Sequence, residues 1–294
     1  SDGCSGPEEI ELSNALTMIV IDTQWWLHKF EKSRGEKDDC ALRTKAGFLA
    51  EFKELLKSNR NKNVIVVGHH PLYSNGVHGG YFTWQDHLFP LTRKKANLWI
   101  PLPVIGSIYP FYRSFFGNVQ DIPNPKYQEL KNELLLAMNE YDNVIYAAGH
   151  EHNMQYVFEN RLHHIISGSG SKKTNLRFNQ KLDFGAMRNG FARVDVMENG
   201  EVKLTYFDAE SKTNPIIFHK TLYQKKLKKF DYSSTKKVSY ANKYETVIPD
   251  SNFRANGIKR LFFGHLNRNL WTKPLKVPYL DIHYVYGGLK PVSK

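Results

Sequence analysis

Apolar positions along this 294-residue chain follow two periods, and the switches between them set out its elements. Ile19 to Ile21 within 17–22, Val64 to Val67 within 63–67, and Val144 to Tyr146 are short unbroken apolar runs, the signature of buried strands. Between them the period lengthens. Phe48, Leu49, Phe52, Leu55 and Leu56 recur at helical spacing over 44–58, as do Leu130, Leu134, Ala137 and Met138 over 127–141. Later strands are predicted at 164–167, 191–196 and 202–207, the last two joined through a hairpin-type turn at Glu198-Asn199-Gly200. Residues 71–125, rich in Pro, Gly and aromatics, predict a long irregular stretch, and a loop of that length in a compact domain is usually functional. Strand–helix–strand giving way to consecutive strands predicts an α/β (α+β) fold, a two-sheet β-sandwich flanked by helices.

Charge divides the chain. Residues 1–215 hold 25 Lys/Arg and 25 Asp/Glu, whereas 216–294 hold 16 against 4, so the whole excess of +12 lies in a basic C-terminal extension. A boundary is therefore expected near 215. A net-neutral first part argues against nucleic acid as a partner, since that binding needs a basic face on the domain. Lys225, Lys226, Lys228 and Lys229, followed by Ser233-Ser234-Thr235-Lys236-Lys237, read as a linker. No run of about 20 apolar residues occurs, so no helix is predicted to cross a membrane. The only cysteines, Cys4 and Cys40, form one candidate pair, and a disulfide between them would suit an oxidising compartment.

Chemistry concentrates in two boxes: Val66-Val67-Gly68-His69-His70-Pro71 and Ala147-Ala148-Gly149-His150-Glu151-His152. In each, an apolar run stops at a glycine, which lets the backbone turn sharply and brings the next side chain to the rim of the sheet. Neutral imidazole at a rigid strand end is a common transition-metal ligand. Neither box is a zinc-finger pattern, because both cysteines lie far away. By contrast, His163 and His164 read as ordinary strand-edge residues. Trp25 and Trp26, after a strand end, are expected in the core. The run from Pro101 to Phe116 could form a substrate lip, a partner surface or core packing, and core packing is the expectation.

These boxes resemble the calcineurin-like metallophosphoesterases, most closely the purple acid phosphatase branch. The first matches that family's Gly-His-x-Pro segment and continues through Leu72-Tyr73-Ser74 to Val77-His78-Gly79. The second matches its Gly-His-x-His segment, and Ile165-Ile166-Ser167-Gly168-Ser169-Gly170 resembles its strand-then-glycine turn. The resemblance covers roughly residues 15 to 175. It implies a metallophosphoesterase-type fold hydrolysing phosphate esters at two transition-metal ions (Fe, Zn or Mn), with His69 and His150 on one and His152 on the other. It also implies that His78, among Gly76, Gly79 and Gly80, protonates the leaving oxygen; the other reading is a loop histidine packed on Phe82 and Trp84. His70, Tyr73 and Asn75 flank the ligands as supporting or substrate-contacting residues.

The departures shape the expectation. The family's earlier blocks supply an Asp, a bridging Asp and an Asn-His pair, and this sequence contains no Gly-Asn-His and no Gly-Asp-x-x-Asp. Histidines without a bridging carboxylate cannot hold two cations close together. The chain is therefore expected to be the C-terminal part of a catalytic domain, with little activity alone. The tail, through Leu270-Trp271-Thr272-Lys273-Pro274 to Gly287-Gly288, resembles the connector that precedes an outer-membrane β-barrel in large Bacteroidetes-type surface-antigen proteins. That implies an extracytoplasmic protein. Two functions stay open: a phosphoesterase, or an idle scaffold attached to such a barrel.

Overall fold

Val64 to Val67 form an unbroken apolar run because the strand that carries them is covered on both faces. Val64 and Val66 pack with Phe52 and Leu134 on a helical layer, while Ile65 and Val67 pack with Val194, Leu204 and Tyr206 on a second sheet. Side chains alternate across a strand, so one run feeds two cores. This arrangement is seen in a computed structural model that describes residues 4–28, 40, 42, 44–93, 95 and 97–224, and the backbone of 258–263.

In chain order the elements are β1 (Glu8–Ser13), β2 (Leu16–Val20), α1 (Thr23–Leu27), α2 (Lys45–Ser58), β3 (Asn63–Gly68), α3 (Trp84–Leu88), α4 (Ile108–Phe115) and α5 (Pro125–Met138). These are followed by β4 (Val144–Ala148), β5 (Met154–Glu159), β6 (Leu162–Ser167), β7 (Phe184–Ala186), β8 (Gly190–Met197), β9 (Glu201–Asp208), β10 (Ile216–Gln224) and β11 (Ile258–Phe263). Seven strands form one sheet in the order β1-β2-β3-β4-β6-β5-β7, and four form the other in the order β10-β9-β8-β11. β2, β3, β4 and β6 run parallel, so their carboxyl ends meet along one edge. α2 and α5 cover the outer face of the larger sheet. Thr44 caps α2 by accepting from the Gly47 N–H, and Asn124 caps α5, where Pro125 occupies the first turn.

The mixed α/β architecture with two sheets and flanking helices agrees with the expectation, but several details differ. β10 pairs with β9 along its length, so the second sheet runs on past residue 215. β11 adds a strand to β8 from within the basic extension. The rest of the expected connector lies outside the described residues. His163 and His164 are buried, because β6 is an inner strand between β4 and β5 rather than an edge. The 71–125 stretch carries α3, α4 and short 3₁₀ turns at Val77–Gly79, Pro90–Arg93 and Ile105–Ser107. The aromatic run within it is not core: Phe111, Phe115 and Phe116 are exposed. Trp25 and Trp26 are buried against Phe48, as expected. Cys4 and Cys40 are joined by a disulfide. Among the described residues no helix is long and apolar enough to cross a membrane.

Candidate metal-binding site

Register places the two histidine boxes side by side. Gly68 of β3 pairs with Ala148 of β4, and just beyond, the Gly149 N–H donates to the His69 carbonyl at 3.2 Å. Parallel sheets gather ligands at such carboxyl ends. His150 adopts a left-handed conformation (φ 64°), uncommon for a residue with a Cβ. This turns its ring back toward the first box. His69 Nε2 and His150 Nδ1 come to 3.1 Å, and the ring centroids of His70 and His78 lie 4.6 and 4.0 Å from that of His150.

The surroundings fix the proton positions. Gln120 donates its amide N–H to Gln24 Oε1, so its own Oε1 accepts from His70 Nε2 at 2.7 Å. His70 Nδ1 is then an acceptor for the Thr23 hydroxyl, also at 2.7 Å. The Gln120 carbonyl accepts from His150 Nε2 at 3.0 Å, which leaves His150 Nδ1 as a lone pair aimed at His69. Burial disfavours imidazolium here, and neighbouring histidines add to it, holding His70 at about 3 and His150 at about 2. Both are neutral near pH 7, the form that ligates metal. The carbonyls of this turn are fixed too: Tyr146 donates to that of His70 and Tyr127 to that of Pro71.

One potential ligand atom from each of His69, His70 and His150 lies within 4.8 Å of the others. At metal–nitrogen bonds of about 2.0–2.1 Å, neighbouring nitrogens sit roughly 2.9 Å apart at right angles and roughly 3.4 Å apart at a tetrahedral angle. The 3.1 Å between His69 and His150 falls within that span. This pair fits one ion, with solvent reaching the exposed His69. His70 joins only by releasing Thr23 or Gln120. The donor set is all imidazole, which suits zinc, iron or related transition metals.

His78 stands beside this group on a charged support that the sequence did not indicate. Its Nδ1 meets Asp121 Oδ1 at 2.9 Å, and Arg113 clasps both oxygens of the same carboxylate. Burial pushes Asp121 upward, but hydrogen bonds from His78 and Arg113 outweigh it and hold the carboxyl at about 2. Asp121 is thus a fixed anion that sets the tautomer of His78. The only available signal was Arg113, a lone charge inside an aromatic run.

Other expected site residues lie elsewhere. His152 is outside the three-imidazole group, and its carbonyl accepts from the Thr174 N–H. Tyr73 is half-buried with its hydroxyl toward Asn160 and its ring beneath Lys131. Asn75 is buried, its N–H donated to Gln155 and its side chain paired with Asn179, so it pins the loop. Two of the loop glycines lie hard against protein. A Cβ on Gly76 would strike the Glu151 carboxyl, and one on Gly79 the Ser74 carbonyl. Glu151 itself is buried, accepts from Ser74 and from the His78 N–H, and ties the His78 loop to the second box; burial raises its pKa.

No family model and no curated protein sequence matches the chain. Among solved structures, one described as "GAP50 the anchor in the inner membrane complex of Plasmodium" is 21% identical with a TM-score of 0.44, covering 77% of this chain and 56% of that one. Another, "Structure of PhoD", is 8% identical with a TM-score of 0.38, covering 75% and 44%. The chain spans about half the length of these structures. At such scores the functional reading rests on the residues of the site alone.

Proposed function

We propose that the chain carries the histidine side of a metal-dependent phosphoesterase centre. His69, His150 and, after exchanging a hydrogen bond, His70 hold one transition-metal ion of the iron, zinc or manganese class. The observation that carries this is the convergence of neutral imidazoles from two neighbouring strand ends at a ligand-like spacing. When bound, such an ion polarises a phosphoryl oxygen and lowers the pKa of a coordinated water. The chain's own residues do the rest. Asp121 accepts the Nδ1–H of His78, so that the ring, when doubly protonated, gives its Nε2 proton to the departing oxygen of a phosphomonoester and keeps the one on Nδ1. Arg113 prevents the carboxylate from turning away. A second ion, with His152 among its ligands, requires carboxylates beyond those beside the group. The Cys4–Cys40 disulfide supports an extracytoplasmic location.

One observation favours a second reading. His70 and His150 already have protein partners on both ring nitrogens, as a purely structural cluster would. In that case the domain is an idle scaffold, for instance one attached to an outer-membrane β-barrel through its basic tail. Metal content by mass spectrometry, with turnover of a chromogenic phosphate ester after metal loading, separates them. The enzyme reading expects bound metal in this chain, and hydrolysis in a longer protein that supplies the remaining carboxylates, which His78→Gln reduces while metal content holds. Absence of bound metal, with unchanged stability on adding metal, leaves the scaffold.

A further inference from the structure

Helix α4 is inside out. Its apolar positions Ile108, Tyr109, Phe111, Tyr112, Phe115 and Phe116 share one continuous face at helical spacing, and that face is exposed, whereas Arg113 on the opposite side is only 7% exposed. The cause is the buried clasp between Arg113 and Asp121, which rotates the apolar face outward. The preceding turn continues the surface: Val104 is 84% exposed, Ile105 67% and Trp99 56%. Large exposed apolar patches mark interaction sites.

Chemistry selects the occupant. The surface mixes aliphatic residues with Trp and Tyr, the rings enriched where a bilayer meets water. Between Asp86 and Asp121 the sequence has no acidic residue, yet it carries Arg93, Lys94 and Lys95 next to the Trp99 segment. Lys95 is exposed, whereas Arg93 is held by Asp86 at 3.1 Å, which leaves Lys95 as a cation turned to solvent. An apolar face with cations at its border is the pattern of a helix lying in the interface of an anionic membrane. We propose that the segment from Trp84 to Phe116 is a bilayer-docking platform, α4 inserting its aromatic face at the headgroup–acyl boundary while the basic run at Lys95 meets anionic lipid headgroups. The proposal does not depend on metal or catalysis.

The test uses the full chain with vesicles of phosphatidylcholine, with and without phosphatidylserine. Co-sedimentation and a blue shift of tryptophan fluorescence are expected, stronger with phosphatidylserine and weakened by salt. Phe111→Glu/Phe115→Glu alters exposed positions, so its circular dichroism and melting should match the parent. It should lose at least about tenfold in partitioning. Lys94→Gln/Lys95→Gln, which leaves the Arg93–Asp86 pair intact, should weaken the preference for phosphatidylserine. Failure to sediment overturns the proposal. So does equal sedimentation of the Phe variant, which would assign binding to the basic tail. Self-association in ultracentrifugation, abolished by the Phe variant without any vesicle binding, would assign the face to a second copy.

Discussion

A buried carboxylate decides how the candidate site is held. Asp121 is fully buried, accepts from His78, and faces Arg113, which is itself nearly buried. Removing one partner of such a pair leaves an uncompensated charge at a cost of about 3–5 kcal/mol. Asp121→Asn should therefore lower unfolding stability by that amount in urea titration, and adding Arg113→Met should recover part of it. A change within experimental error would mean that the clasp is not formed. His69 and His150 were legible in the sequence because each follows a glycine at the end of an apolar run. Asp121 was not, lying 43 residues from His78 in a stretch without periodicity. His70 was legible only as a neighbour, since the sequence does not reveal that Thr23 and Gln120 would hold its ring.

Between elements, the turns at the site are joined by close backbone approach. Gly168, just after β6, lies so near the Glu151 carbonyl that an added Cβ would overlap it. Gly168→Ala should displace the turn carrying His150 and cost roughly 1–3 kcal/mol, as overpacking does. A melting curve like the parent's would show that the two turns can separate freely. β3, β4, α2 and α5 could be read in advance because their periodicity is clean. β5 could not: its buried Gln155, which pairs with Asn153 and Asn75, breaks the apolar pattern. α4 shows the limit of periodicity, which identifies an apolar face without saying whether protein covers it. There Arg113 decided the orientation.

Across the whole molecule, burial keeps several histidines neutral: His150 at about 2, and His70 and His164 each at about 3. These values lie below the 6.5 of an unperturbed imidazole, so the unfolded chain takes up protons first as pH falls. The stability they contribute is complete above about 6.5 and drains away toward the folded values, at up to about 1.4 kcal/mol per pH unit for each. Denaturation midpoints should drop between pH 7.5 and 5.5; a flat profile would contradict the burial of these rings. The division into two sheets and a helical layer was legible from alternating periods, but the reach of the second sheet into the basic extension was not, since charge counts carry no register. The central claim is that His69 and His150 share a cation. Zinc or cobalt titration of the full chain by calorimetry tests it most directly, alongside His150→Asn, a side chain that tolerates the left-handed backbone. The account predicts one ion per chain, with affinity in the variant falling by more than the roughly 10–100-fold typical of an outer-shell change. Binding of equal strength in the variant, or no binding to the parent, would contradict it.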